Sequence, residues 1–221
     1  MENKLLIFDL DGTIADTINT IRDAVNMCMS HFGYPTLSYE QTRDNVGFGA
    51  RELIRLSLPS SAAEDRDTYE KVFEYFSGCY KITHDNVEGC YDGLFEVIEK
   101  LYNRGFKLAV LSNKPDHLVG GIMKKLFPEG MFSIAMGQTE LPKKPDPTVP
   151  LMIADKLGCR TEDTCFIGDS EVDVLTAKNS GMCSVAVSWG FRSRSILEMS
   201  EPDIIVDTPT QLFEFLTQEK I

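Results

Sequence analysis

Near its N-terminus the chain reads Lys4-Leu5-Leu6-Ile7-Phe8-Asp9-Leu10-Asp11-Gly12-Thr13. The apolar residues before Asp9 form an unbroken run without the alternation of a half-exposed strand, which predicts a strand buried on both faces. Asp9 and Asp11 follow at its carboxyl end, where an open α/β sheet binds its ligands. Two carboxylates this close repel each other and need a cation, a shared proton or strong hydrogen-bond donors. The alternative is an ordinary Asp-Gly turn.

The composition is that of a globular protein with an acidic surface. The 221 residues are 43% hydrophobic and 25% charged, enough for one large domain or one domain with an insertion. The formal net charge of −12 repels nucleic-acid phosphates and anionic membranes, so we expect neither as a partner. No apolar run is long enough for a membrane span, and no signal peptide is recognisable. The six scattered cysteines form no C-x-x-C pair, which favours reduced thiols and a cytoplasmic location.

From residue 87 onward, predicted strands alternate with predicted helices. This order is typical of an α/β fold with a doubly wound, parallel, Rossmann-like sheet. The predicted strands after the first are residues 107–111, 131–136, 164–167, 184–187 and 203–206, and the predicted helices are 93–104, a helix from 115, 151–157, a helix ending at 181, and 209–216.

Between the first strand and the rest lies a block with helical periodicity. Helices are predicted over residues 17–32, 51–57 and 62–83, with a polar stretch and the glycine loop 45–51 between the first two. We therefore expect a core of residues 1–15 and 87–221, and an inserted small helical cap of residues 16–86. The linkers are expected near residues 14–17 and 82–88.

Each strand that ends near polar residues delivers a chemically useful side chain. The second strand delivers Ser112, and the fourth delivers Asp169, followed one helical turn later by Asp173. Lys144 lies in a rigid turn between the third and fourth strands. The carboxyl edge of one parallel sheet would bring these groups to Asp9 and Asp11.

Hard oxygen ligands of this kind select Mg²⁺ over softer metals. The metal, Lys144 and Ser112 would offset the charge of a phosphoryl group, leaving one carboxylate free to attack phosphorus. Asp11 is placed to protonate the leaving oxygen and later to activate water. The pattern thus predicts phosphoryl transfer through an aspartyl phosphate.

These residues resemble, in order, the four motifs of the haloacid dehalogenase-like hydrolases. The matching stretches are Asp9-Leu10-Asp11-Gly12-Thr13, Ser112-Asn113, Lys144-Pro145 and Gly168-Asp169-Ser170-x-x-Asp173. The resemblance spans the whole chain, including a helical cap after the first motif. The segments 45–54, Ser188-Trp189-Gly190 and Pro202-Asp203 look most like the phosphoglycolate phosphatase branch.

The resemblance implies a role for each matching residue. Asp9 would be the nucleophile and a Mg²⁺ ligand, and Asp11 the general acid/base whose backbone carbonyl also faces the metal. Lys144 would stabilise the nucleophile and the phosphate, and Asp169 would be a further metal ligand. Asp173 would support the metal's waters or orient Lys144. Phosphate contacts are implied for Thr13, Ser112 and Asn113.

Two assignments remain open at this stage. Lys143 competes with its neighbour Lys144 for the role in the site. Arg51 is a candidate for binding a second anionic group of the substrate, and the alternative is a solvated helix residue. Oligomeric state is not readable from the sequence.

Residues that differ from those of other branches of the family narrow the choice of reaction. The dehalogenase and phosphonate-cleaving branches lack an aspartate at the position of Asp11, which favours phosphate ester chemistry here. The β-phosphoglucomutase branch usually has histidine at the position of Ile21 and often valine at that of Thr13. We therefore expect a Mg²⁺-dependent phosphatase acting on a small phosphorylated metabolite, phosphoglycolate-like or a sugar phosphate. The alternatives are a sugar-phosphate mutase and a non-catalytic binding protein on the same fold.

Overall fold

The computed structural model describes residues 4–84, 86–87 and 89–218. Its strands are β1 (Leu5–Phe8), β2 (Lys107–Pro115), β3 (Ile134–Gln138), β4 (Thr164–Gly168), β5 (Cys183–Val187) and β6 (Ile204–Val206). Its helices are α1 (Ile18–His31), α2 (Tyr39–Asn45), α3 (Ala50–Ser57), α4 (Ser60–Glu64), α5 (Arg66–Thr83), α6 (Leu94–Asn103), α7 (Asp116–Leu126), α8 (Thr148–Lys156), α9 (Glu171–Ser180), α10 (Arg194–Met199) and α11 (Pro209–Thr217).

The six strands form one sheet in the order β3-β2-β1-β4-β5-β6, and all the pairs are parallel. The predicted doubly wound Rossmann-like sheet is therefore confirmed. β1 lies at its centre, between β2 and β4. The strand order changes direction at this point, which is where such sheets bind ligands at their carboxyl edge.

β1 is buried on both faces, as its unbroken apolar run predicts. Leu6 and Phe8 pack into a hydrophobic cluster on one face of the sheet. Leu5 and Ile7 pack into a second cluster on the other face. Because alternate residues of a strand point to opposite faces, an apolar side chain is needed at every position.

The helices α1 to α5 have a hydrophobic cluster of their own, which includes Ile18, Val25, Val72 and Phe76. We call residues 18–83 the helical block, and the other described residues, 4–17, 84, 86–87 and 89–218, the sheet domain. Phe191, from the loop after β5, also belongs to this cluster. The division into core and cap at residues 15/16 and 86/87 stays a prediction, and within the second predicted linker residues 85 and 88 lie outside the described ones.

The structure corrects the predicted elements at a few boundaries. The polar stretch before Asn45 contains α2, whose start is fixed by a capping box in which Ser38 and Gln41 exchange hydrogen bonds. The predicted helix 62–83 is two helices, because Asp65 caps a new start by accepting a hydrogen bond from Thr68 N. β2 runs on to Pro115, and β3 begins at Ile134 rather than at 131. None of the described helices is long and apolar enough to cross a membrane.

Candidate active site

The turn after β1 brings Asp9 against β4. The Asp9 amide donates to the carbonyl oxygen of Ile167 at 2.8 Å, which continues the sheet pairing by one residue. Gly12 then adopts φ +84°, a conformation that L side chains resist. A β-carbon at Gly12 would lie only 2.4 Å from Asp169 Oδ2, so glycine is also required for the close approach to that carboxylate.

Three buried carboxylates meet beside this turn. Oxygen atoms of Asp9, Asp169 and Asp173 all lie within 4.8 Å of one another. Burial, together with the charges of Asp173 and Asp9, raises the pKa of Asp169 to about 8. Burial also raises the pKa of Asp9 to about 6, although Lys144 opposes the shift. Because negative charges outnumber positive charges in this cluster, its carboxylates stay partly protonated near neutral pH unless a cation binds there.

Lys144 is the buried cation of this cluster. Its Nζ lies 2.9 Å from Asp9 Oδ1 and 2.7 Å from Asp173 Oδ1. Burial alone would lower the pKa of Lys144, but Asp173 and Asp9 raise it above its ordinary value. Lys143 instead points its ammonium at the carbonyl of Phe48, 2.6 Å away, and is exposed. Lys144 is therefore the member of the pair that faces the acidic cluster.

The carboxylates of this cluster fit a hard divalent cation. Asp9 Oδ1 is buried and lacks an aligned hydrogen-bond donor among the described residues, with only the Lys144 ion pair beside it. Asp169 receives hydrogen bonds from Thr13 Oγ1 at 2.9 Å and from Phe191 N at 2.7 Å, which fix its orientation. Carboxylate oxygens are the ligands that Mg²⁺ prefers.

Asp173 is less available to a metal than Asp9 or Asp169. One of its oxygens accepts the hydrogen bond from Lys144, and the other accepts from both the backbone and the hydroxyl of Ser170. These contacts match the second of the two roles expected for it, which is to orient Lys144.

Asp11 bonds partners other than Lys144. It accepts hydrogen bonds from Thr17 Oγ1 at 2.6 Å and from Lys114 Nζ at 3.0 Å. The ammonium of Lys114 also bonds the hydroxyl of Tyr80, which belongs to α5 of the helical block. Burial would lower the pKa of Lys114, but the charge of Asp11 outweighs it and raises that pKa.

Sequence reasoning did not assign a role to Lys114. It follows Ser112 and Asn113 at the end of β2, where a lysine is usually solvated. Its partners lie 103 and 34 residues away in sequence, so no local pattern marks it as buried. The only sequence signal was its position directly after a predicted site residue.

The residues expected to contact phosphate differ in what they touch. Ser112 lines a cavity between the sheet edge and the helical block, and its hydroxyl accepts a hydrogen bond from Lys114 N at 3.3 Å. Asn113 exchanges hydrogen bonds with the backbone of Lys144, at 3.0 and 3.2 Å, and so fixes that residue. The Thr13 hydroxyl donates its hydrogen bond to Asp169.

The structure does not bring Arg51 to the acidic cluster of Asp9, Asp169 and Asp173. Its guanidinium pairs with Glu70 at 2.9 and 3.2 Å and stacks on Phe73, 4.3 Å from the ring centre. It is exposed, and the residues that line the cavity do not include it. These contacts match the alternative of a solvated helix residue.

A small cavity of about 50 Å³ lies between the sheet edge and the helical block. Its apolar wall contains Ile21, Val46 and Leu53 of the block. Its polar wall contains Asp9, Asp11, Asp169, Ser112 and Lys114. The cavity is much smaller than the pockets of about 300–1,000 Å³ that hold drug-sized ligands.

Comparison with known proteins gives one family. The model of the haloacid dehalogenase-like hydrolases matches residues 6–187. A phosphoglycolate phosphatase from Vibrio parahaemolyticus is 32% identical over 216 residues, covering 96% of this chain and 95% of that protein. Phosphoglycolate phosphatase 1 from Pseudomonas aeruginosa is 31% identical, covering 92% of this chain and 76% of that protein.

Solved structures agree with the sequence comparison. The crystal structure of a protein from Lactobacillus delbrueckii subsp. bulgaricus, proposed to be a phosphoglycolate phosphatase, matches with a TM-score of 0.89 at 31% identity. It covers 99% of this chain and all of that one. A haloacid dehalogenase-like family protein from Streptococcus pneumoniae shares the fold, with a TM-score of 0.87 at 20% identity over 97% of this chain and 99% of that one.

Proposed function

The chain belongs to the haloacid dehalogenase-like hydrolases and is a phosphoric monoester hydrolase, and we propose that it acts with Mg²⁺ through an aspartyl phosphate at Asp9. The observation that supports this most is the acidic cluster of Asp9, Asp169 and Asp173, in which the buried Oδ1 of Asp9 has only the Lys144 ammonium beside it among the described residues. A phosphatase needs a cation at this place to bring an anionic ester beside carboxylates.

Asp9 and Asp169 would hold the metal together with the backbone carbonyl of Asp11. When bound, Mg²⁺ would polarise the phosphoryl group and offset its charge. Asp173 would act mainly on Lys144, because its oxygens already bond Lys144 and Ser170. Thr13 would contribute by orienting Asp169.

The first chemical step would transfer the phosphoryl group to the protein. A carboxylate oxygen of Asp9 attacks phosphorus while Ser112 and Lys144 bind the phosphoryl oxygens. The bond from phosphorus to the leaving oxygen breaks, and Asp11 donates its proton to that oxygen. Asn113 would support this step by holding the backbone of Lys144.

The second step would return Asp9 to its starting state. Asp11, now ionised, removes a proton from water as the water oxygen attacks phosphorus. The acyl phosphate bond breaks, which releases inorganic phosphate and the free Asp9 carboxylate. Because Asp11 gives a proton in one step and takes one in the next, the site is restored after each turnover.

The substrate we propose is a small phosphate monoester with a second anionic group, such as phosphoglycolate. Lys114 Nζ is 3.0 Å from Asp11 Oδ1, so with Asp11 as the proton donor this cation would lie near the leaving group. The cavity is small, in accord with a substrate of few atoms. The name of the Vibrio parahaemolyticus relative points to the same class of ester. The helical block would act as a cap that excludes bulk water.

The test is a panel of phosphoglycolate, glycerol phosphate, glucose phosphates and p-nitrophenyl phosphate, assayed for free phosphate and for isomerised sugar, with Mg²⁺ or EDTA. We expect Mg²⁺-dependent release of phosphate, fastest from phosphoglycolate, and its loss in Asp9→Asn with the circular dichroism spectrum unchanged. Isomerised product without free phosphate would indicate a mutase. Turnover retained in Asp9→Asn would contradict the mechanism.

A further inference from the structure

One stretch of the helical block is held by side chains of the sheet domain. We call residues 43–48, the end of α2 and the loop after it, the 43–48 segment. Arg192 donates from Nη1 to the carbonyl of Arg43 at 2.9 Å and from Nη2 to that of Val46 at 2.7 Å. Asn113 donates to the carbonyl of Gly47 at 3.1 Å. The segment is therefore held by hydrogen bonds to its main-chain carbonyls, which do not depend on its side chains.

Arg192 is buried, and all three nitrogens of its guanidinium donate a hydrogen bond. Besides the two carbonyls, its Nε donates to Glu171 Oε2 at 2.9 Å, and the residue is only 7% exposed. The carbonyl of Arg43 belongs to the last turn of α2, where helices leave acceptors without an internal partner and favour a cation. These three hydrogen bonds give Arg192 a positional role.

The same loop also fixes a carboxylate of the acidic cluster. Phe191, directly before Arg192, donates its backbone N–H to Asp169 Oδ2 at 2.7 Å. Its side chain packs into the hydrophobic cluster of the helical block. At Gly190, a β-carbon would lie 2.3 Å from the Asp169 β-carbon, so this loop is pressed against Asp169.

We infer that Arg192 is a positioning residue that couples the 43–48 segment to Asp169, so that holding the segment in place and binding the metal favour each other. The path from the segment to the carboxylate is short. Arg192, which binds the segment, is joined by one peptide bond to Phe191, which orients Asp169. Such coupling is reciprocal. The inference rests on the proposed Mg²⁺ site at Asp9 and Asp169.

The test compares Arg192→Met with Arg194→Met. Arg194 is two residues away, exposed, and paired only with Glu198 and Asp207 among the described residues, so its loss leaves the coupling intact. Mg²⁺ affinity is measured by calorimetry, and hydrogen–deuterium exchange is followed in peptides that cover residues 43–48, with and without Mg²⁺ alone.

In the wild type and in Arg194→Met, we expect Mg²⁺ to slow exchange in the 43–48 segment. In Arg192→Met, exchange should be faster and insensitive to Mg²⁺, and Mg²⁺ should bind at least about fivefold more weakly, the lower end of typical coupling between sites. Unchanged Mg²⁺ affinity in Arg192→Met would overturn the inference, even if the segment exchanged faster.

A second variant covers the case in which Arg192→Met does not fold. Arg192→Lys keeps the charge, but one ammonium cannot reach Glu171 and both carbonyls, and we expect the same weakening of Mg²⁺ binding. The two proposals fail separately. Mg²⁺ binding without phosphatase activity would refute only the proposed function, whereas phosphatase activity with unaltered Mg²⁺ affinity in the Arg192 variants would refute only the coupling. A wild-type chain that binds no Mg²⁺ would contradict both.

Discussion

Two buried lysines flank the two aspartates of the first motif, and their surroundings differ. Lys144 pairs with Asp9 and Asp173, and all three residues belong to the sheet domain. Lys114 pairs with Asp11 of the sheet domain and with Tyr80 of the helical block. One ammonium is held by carboxylates alone, and the other is shared between a carboxylate and a phenol.

This difference separates a part of the site that is complete within the sheet domain from a part that needs the helical block. In the proposed mechanism the Lys144 side would hold the nucleophile and the metal carboxylates, so its chemistry should be common to many substrates. The Lys114 side would face the leaving group and depend on Tyr80, so it should respond to the identity of the substrate. The variants below test that division.

The largest effect is expected for Lys144→Met. Removing one partner of a buried ion pair costs about 3–5 kcal/mol, here because Asp9 and Asp173 lose their shared cation. Loss of one donor to the transition state lowers kcat by about 10²–10³-fold. The measurements are urea unfolding without Mg²⁺ and kcat on every substrate. Lys143→Met is the matched variant and should lose far less on both measures, and equal losses would contradict the assignment.

The next effect concerns Mg²⁺ and pH. The pKa values of Asp169 and Asp9, raised to about 8 and about 6, mean that the folded protein binds more protons than the unfolded chain between about pH 4 and 8. Without metal, stability from these groups therefore falls as pH rises through that range.

Mg²⁺ removes the need for those protons, so it should stabilise more at pH 8 than at pH 5.5. At one fixed Mg²⁺ concentration, set about 100-fold above the Kd at pH 8, the gain at pH 8 is about 2.7 kcal/mol, or about 5–10 °C in Tm, and the gain at pH 5.5 is smaller. Differential scanning fluorimetry at both pH values measures it, and Asp169→Asn should abolish it. An equal Tm shift at both pH values would contradict a metal that displaces protons from these carboxylates.

Lys114→Met should separate substrates by charge. A hydrogen bond to a charged group contributes about 1.5–3 kcal/mol, so kcat/KM for phosphoglycolate should fall about 10–100-fold. The loss on p-nitrophenyl phosphate, whose leaving group carries no carboxylate, should be several-fold smaller. Steady-state assays on both esters measure the ratio. An equal loss on the two substrates would assign Lys114 to the common chemistry and break the comparison with Lys144.

The smallest effect is expected for Tyr80→Phe. It removes one hydrogen bond to the Lys114 ammonium but keeps the ring packed, which costs about 1 kcal/mol and about fivefold in kcat/KM for phosphoglycolate. The double variant with Lys114→Met should be no worse than Lys114→Met alone. Additive losses would show that Tyr80 acts independently of Lys114.

The two lysines also mark how far the sequence predicts the site. The buried apolar run of β1 and the strand-helix alternation predict the sheet, because burial on both faces leaves a direct pattern in the residues. Asp9 and Asp169 follow from motifs at strand ends, and Lys144 follows from a Lys-Pro motif in a turn.

Lys114 and Arg192 were not predicted, because their partners come from remote parts of the chain, Tyr80 and the carbonyls of Arg43 and Val46. Backbone acceptors carry no sequence signature at all. Arg51 was a candidate for binding an anionic group, but its guanidinium pairs with Glu70, 19 residues away, and the residues that line the cavity do not include it.

The central claim is that Asp9, and not Asp11, receives the phosphoryl group. Borohydride added during turnover with Mg²⁺ reduces an acyl phosphate to an alcohol, which converts the modified aspartate into homoserine. Peptide mass spectrometry then reads its position. The account predicts substrate-dependent conversion at Asp9 alone. Conversion at Asp11, or steady phosphate release with no trapped residue, would contradict it.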